Sequence, residues 1–187
     1  MTPALADAPV GATPARGPMR TALLGVGSNV GERRAHLQAA LDALARDGLA
    51  AVRCSSLYDT DPVGEVLEQA SFLNACLLAQ TDLEPLALLE LAKRIERELG
   101  RAGGGVRHGP RVIDIDILLL GDVVLANERM TLPHEQLLER RFVLIPALEL
   151  DLELRAPDGT RLADALLALP PTEGVRWAGP PLQSGAP

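Results

Sequence analysis

Residues 107–120 read RHGPRVIDIDILLL, and this string limits what the chain can fold into more than any other. An apolar, isoleucine-rich run bounded by glycine on both sides reads as a buried strand over residues 112–120. Residues two apart on a strand share a face, so Asp114 and Asp116 point one way while Ile113, Ile115 and Ile117 point into the opposite layer. The same alternation puts Leu118 and Leu120 on the aspartate face. Two carboxylates side by side on an otherwise apolar strand repel each other unless a cation sits between them. Oxygen-only donors one strand-pitch apart suit Mg²⁺, which keeps waters and recruits phosphate oxygens. For a D-x-D taken alone, a strand end with one wet face remains the plain alternative.

The rest of the chain supplies partners for that strand. Residues 21–26 form a short apolar run stopped by Gly27-Ser28-Asn29, and Leu37, Leu41 and Leu44 then recur at helical spacing. Residues 49–58 and 72–80 are two further strand candidates, separated by a turn-rich stretch over residues 59–64. Asp82 stands as a cap before a second helix that carries Leu86, Leu89, Ala92, Lys93, Glu96 and Leu99 and ends at Gly100. The order β-α-β-β-α-β predicts an α+β, ferredoxin-like antiparallel sheet with helices on one face and the other face free for a ligand. After it, residues 121–138 look irregular, and residues 142–150 and 162–169 look helical, which gives an elaborated C-terminal flank.

Composition sets the limits of this domain. The chain has 187 residues, 47% of them hydrophobic, enough for one ordinary domain with a real core. Nine of its 15 prolines fall in residues 1–20 and 170–187, so both ends read as disordered tails around a domain of residues 21–169. A net charge of −7 provides no basic field for nucleic acid or an anionic membrane. No apolar run approaches the ~20 residues that cross a bilayer. The two cysteines are too few for a disulfide framework or a four-thiolate zinc site and read as buried thiols of a cytoplasmic protein.

Against that acidic background, arginines gather near the paired aspartates in sequence: Arg101, Arg107, Arg111, Arg129, Arg140 and Arg141. Guanidinium groups fit phosphate oxygens through two parallel hydrogen bonds, so the pattern points to a metal-phosphate site. The glycine-rich stretch over residues 100–109 matches neither phosphate-loop template and reads either as a mobile lid or as a plain connection. A nucleotidyltransferase would place its Gly-Ser turn and D-x-D strand close together, whereas Ser28 and Asp114 are 114 − 28 = 86 positions apart.

Three separated motifs carry a resemblance: Gly25-Val26-Gly27-Ser28-Asn29-Val30-Gly31, Arg107-His108-Gly109-Pro110-Arg111 running into Ile113-Asp114-Ile115-Asp116-Ile117, and Pro133-His134 followed by Arg140 and Phe142. Over residues 21–169 the chain resembles the 6-hydroxymethyl-7,8-dihydropterin pyrophosphokinases of folate biosynthesis. The resemblance implies transfer of the β,γ-pyrophosphoryl group of ATP to the pterin hydroxymethyl oxygen, with release of AMP. It implies two Mg²⁺ ions held by Asp114 and Asp116, and Arg101 and Arg111 on the transferring group. Arg107, Arg129, His134 and Arg140 would contact ATP, with Lys93 and Glu96 on the nucleotide side. Thr60, Val63, Phe72, Asn74 and Phe142 would form the pterin pocket of an enzyme expected to be monomeric. The chain departs from the family pattern in having Gly103, Gly104 and Gly105 where further basic residues are usual, His108 for an aromatic, and Asp61 for a proline.

Overall fold

The computed structural model describes residues 14–61, 70–101, 109–171 and 174–183. Along them lie β1 (Arg16–Ser28), α1 (Arg33–Asp47), β2 (Ala50–Cys54), β3 (Leu57–Thr60), β4 (Phe72–Leu83), α2 (Pro85–Glu98) and β5 (Asp114–Leu120). They are followed by β6 (Leu125–Ala126), β7 (Thr131–Leu132), α3 (Arg141–Leu150), α4 (Leu162–Ala168) and β8 (Val175–Gly179). The main sheet runs β5-β1-β4-β3-β8, with β2 also on β4, and every pairing in it is antiparallel. β6 and β7 form a separate hairpin within the stretch expected to be irregular.

β1 sits between β4 and β5 because it is apolar on both faces. Ala22, Leu24 and Val26 pack with Leu37, Leu41 and Leu44 of α1 and with Leu88 and Ile95 of α2. Leu23 packs on the opposite side with Cys76, Leu78, Leu144 and Leu148. The sheet is therefore covered on both faces, not on one. α3 and α4 bury Val143, Leu144, Ala147 and Leu162 against the face expected to be free, and only the end of that face beside Asp114 and Asp116 stays open. The fold is α+β, as the sequence predicts.

Four local expectations are corrected. Leu23 pairs with Leu119 and Leu24 with Ile117, so Leu118 is a bulge residue and the alternation inverts after it. Leu120 consequently joins the layer of Ile113, Ile115 and Ile117, while Leu118 and Leu119 both face α3. The single strand expected over residues 49–58 is split in two at Ser55, which is buried and accepts the Cys76 N–H through Oγ at 2.9 Å. Asp82 does not cap α2; it lies in β4 and pairs with Arg16, and the helix starts after Glu84 with Pro85 in its first turn. Finally, residues expected in the tails belong to the sheet: residues 16–20 are the first five residues of β1, and Val175–Gly179 is the edge strand β8. Among the described residues no helix is long and apolar enough to cross a membrane.

Candidate active site

β5 delivers Asp114 and Asp116 to one end of the sheet, where β1, β4 and the segment after β7 also end. The strand starts where Asn29 clamps it. Asn29 Oδ1 accepts the Arg111 N–H at 2.7 Å, the Asn29 N–H donates to Arg111 O at 3.0 Å, and its amide nitrogen reaches Ala70 O at 3.2 Å. Asn29 is thus the working residue of the Gly-Ser-Asn turn, a role that depends on two distant segments and leaves no local trace in the sequence. Gly27 leaves room for Asn74: a Cβ there would run into Asn74 Oδ1 and push that amide aside.

The two aspartates have different surroundings. Asp114 is ion-paired with Arg101 at 2.7 Å and with Arg111. Burial opposes its charge, but the guanidiniums of Arg111 and Arg101, with Lys93 behind them, outweigh burial and hold the carboxyl below its ordinary range. The Asp116 carboxylate accepts no hydrogen bond within the described residues. Burial, then the negative Asp114, push its carboxyl up, with His134 and Lys93 opposing. Two oxygen donors, one paired with arginine and one without a hydrogen-bonding partner on its carboxylate among the described residues, fit Mg²⁺ that keeps waters and takes phosphate oxygens rather than an ion enclosed by protein. Among the described residues no group of three or more His, Cys, Asp or Glu could close such a cage.

Two clefts meet at this point. The larger, about 350 Å³, is lined by Thr60, Phe72, Asn74, Arg111, Asp114, Asp116, His134, Arg140 and Phe142. Asn74 Nδ2 donates to Thr60 Oγ1 at 2.7 Å, and the Arg140 guanidinium stands 5.3 Å from the Phe142 ring centroid. The smaller, about 340 Å³, is lined by Lys93, Asp116, Arg129 and His134. Asp116 and His134 belong to both, and Glu135, which no sequence signal singled out, does too. His134 is fixed by its own backbone, the N–H donating to Leu118 O at 3.0 Å, while Nδ1 accepts the Gln136 N–H at 3.1 Å and so leaves Nε2 as the proton-bearing nitrogen of the neutral ring.

Most of the expected residues converge here, with two differences. Glu96 does not open onto the nucleotide side: it is 2% exposed, and its carboxylate accepts the Ile115 N–H at 2.8 Å, Lys93 Nζ at 3.0 Å and Arg101 Nη1 at 2.6 Å. Arg140, expected with ATP, lines the larger cleft with the two phenylalanines. Arg129 lines the smaller cleft and pairs with Glu90 across its rim. Val63, Arg107, His108 and the glycines Gly103 to Gly105 fall outside the described residues. Cys76 reaches the larger cleft, but burial pushes its thiol far up, so it presents no thiolate.

The model of the 7,8-dihydro-6-hydroxymethylpterin-pyrophosphokinase family matches residues 23–152, from β1 through α3. The chain belongs to that family. Its members are pyrophosphokinases, transferases of folate synthesis. The 2-amino-4-hydroxy-6-hydroxymethyldihydropteridine pyrophosphokinase of Pseudomonas aeruginosa is 43% identical over 151 residues, covering 80% of this chain and 91% of that protein. A folate synthesis bifunctional protein of Arabidopsis thaliana is 41% identical over 128 residues, 68% of this chain but only 26% of the plant protein, so the chain spans about a quarter of such bifunctional relatives. The fold is also that of a Plasmodium falciparum HPPK-DHPS crystal structure with pteroate, at a TM-score of 0.63 and 14% identity, over 82% of this chain and 43% of the other.

Proposed function

We propose that the protein transfers pyrophosphate from ATP to 6-hydroxymethyl-7,8-dihydropterin, giving the pterin diphosphate and AMP. The observation that carries this reading is the meeting of two clefts at Asp116 and His134. A reaction between two bound substrates needs two compartments with the charged groups at their junction. The larger cleft is the pterin side: Phe72 and Phe142 supply flat apolar surface, and Asn74, oriented by Thr60, offers donor and acceptor to an amide-like edge. The smaller cleft, with Lys93 and Arg129, is the nucleotide side, and Arg140 serves the phosphates from across the junction.

In the transfer, the pterin hydroxymethyl oxygen gives up its proton to solvent and bonds to the β-phosphorus of ATP, and the bond from that phosphorus to the oxygen bridging to the α-phosphorus breaks, so that AMP leaves with the electron pair. Asp114 and Asp116 would hold two Mg²⁺ ions, whose chemistry there is to neutralise phosphate charge and align the reacting oxygens. Arg101 and Arg111 stand beside Asp114 at 2.7 Å and in direct contact, where they can take up charge on the moving group. Glu96 keeps Arg101 and the Ile115 backbone in place behind them. The sheet order supports a ferredoxin-like core for the catalytic domain, with Arg16–Ser28 as one of its strands and β8 as an added edge, and the reading takes the enzyme as cytoplasmic and monomeric.

Incubation with ATP, Mg²⁺ and hydroxymethyl-dihydropterin, followed by nucleotide analysis, tests the proposal. AMP in step with pterin diphosphate is the expected result; ADP would mean single phosphoryl transfer, and free pyrophosphate nucleotidyl transfer, and either would overturn it.

A further inference from the structure

The match to the family model ends at residue 152, yet residues 174–183 lie against an element that lines the larger cleft. β8 pairs with β3 along its length, Thr60 opposite Val175 and Asp59 opposite Arg176. Past the end of β3, the Asp61 N–H donates to Gly174 O at 3.3 Å, and Arg176 donates to both Asp61 carboxylate oxygens, at 2.7 and 3.4 Å. Gly174 sits so close that a Cβ on it would collide with Asp61 Oδ2. The segment is fastened beyond the strand as well. Leu182 is buried in the core, Arg34 donates to Pro180 O at 3.3 Å, and Gln38 Nε2 donates to Gln183 O at 2.8 Å. Thr60 and Asp61 both line the larger cleft.

We propose that this C-terminal strap positions the wall of the larger cleft: Arg176 and Gly174 fix the place of Asp61, β8 holds the Thr60 end of β3, and together they set how tightly the flat heterocycle is bound. The proposal rests on assigning that cleft to the pterin. An exposed ion pair contributes little to stability, so the consequence of Arg176 holding Asp61 in place is orientation. Two hydrogen bonds from one guanidinium fix a carboxylate in direction as well as distance. Arg176 also keeps the Asp61 carboxyl below its ordinary range, so the group stays a charged acceptor at the cleft wall. None of the strap's described hydrogen bonds reaches a residue of the smaller cleft, so the effect on one substrate is separable from the effect on the other.

Steady-state release of AMP by the full-length chain tests this, with the pterin and ATP varied in turn and the melting temperature recorded for each variant. Arg176→Ala should raise the pterin KM about three- to fivefold, the span an exposed pair can deliver. Gly174→Ala, which displaces the Asp61 carboxylate directly, should raise it more, with kcat and the ATP KM within about twofold in both variants. Gln38→Ala, which loosens the strap away from Asp61, should change the melting temperature and leave the pterin KM where it was. An unchanged pterin KM in both Arg176→Ala and Gly174→Ala, or equal changes for both substrates, overturns the positioning role. A wild-type chain that releases no AMP overturns the cleft assignment itself, and this inference with it.

Discussion

Asp116 in β5 and Glu96 in α2, whose carboxylate accepts the N–H of Ile115 next to it, answer substitution in opposite ways. The Asp116 carboxylate has no hydrogen bond within the described residues, and burial beside Asp114 opposes its ionisation, so its charge works against folding at neutral pH. Asp116→Ala should therefore keep or slightly raise the urea midpoint while lowering turnover by several orders of magnitude, at about 1.4 kcal/mol of barrier per decade. Near-normal turnover in the folded variant would remove Asp116 from the machinery. Glu96 is the reverse case: a buried carboxylate compensated by Lys93, Arg101 and the Ile115 N–H. Glu96→Ala leaves those donors without their acceptor, and unfolding in urea should show a loss of about 3–5 kcal/mol. Glu96→Gln, which still accepts the Ile115 N–H, should lose less.

At the scale of elements, what could be read from the sequence was what is local. The periodicity of residues 33–47 and 85–98 and the apolar runs of β1, β4 and β5 specify elements whose partners follow from chain order. What could not be read depends on contacts between distant segments. The Leu118 bulge is a matter of register between β1 and β5, and the break between β2 and β3 is held by Ser55 on Cys76. Glu96, expected on the nucleotide side, is instead drawn into the interior, because its partner, the Ile115 N–H, lies on a distant strand. The tie between β3 and α3 is of the same kind: Glu149 accepts the Ser56 N–H at 3.0 Å, the Ser56 hydroxyl at 2.7 Å and the Tyr58 hydroxyl at 3.0 Å. Burial first, then Glu149, push the Tyr58 phenol up from 10.0 to about 12. A pKa raised on folding means that this contribution is intact below pH 10.0 and is lost as pH climbs toward about 12. Tyr58→Phe should be less stable at pH 7 by about 0.5–1.5 kcal/mol, the net worth of the hydrogen bond. Its urea midpoint should then fall less steeply than wild type above pH 10.0, and parallel curves would show that the phenol does not titrate as described.

At the scale of the whole molecule, the question is where the folded body ends. The prolines at positions 170, 171, 180 and 181 make the C-terminus read as a tail, but the five residues Val-Arg-Trp-Ala-Gly between them are long enough for a strand, and composition averaged over the tail hides it. β8 covers the outer edge of β3, which would otherwise present unpaired N–H and C=O groups. Leu182, 5% exposed, adds a buried side chain to the core formed by β1, α1 and α2. Full burial of a leucine is worth about 1.5–3 kcal/mol. For a protein of this size each kcal/mol moves the melting temperature by about 2–4 °C. A chain ending at residue 171 should therefore melt about 3–12 °C below one ending at residue 183, and more if the uncovered edge of β3 begins to associate. Trp177, the only tryptophan and 66% exposed, gains little from burial, so Trp177→Ala in the full chain should reproduce almost none of that loss. Equal melting temperatures for the two shortened chains would return the strand to the status of a tail; a drop that Trp177→Ala matches would place the stabilisation in the indole rather than in the backbone pairing and Leu182.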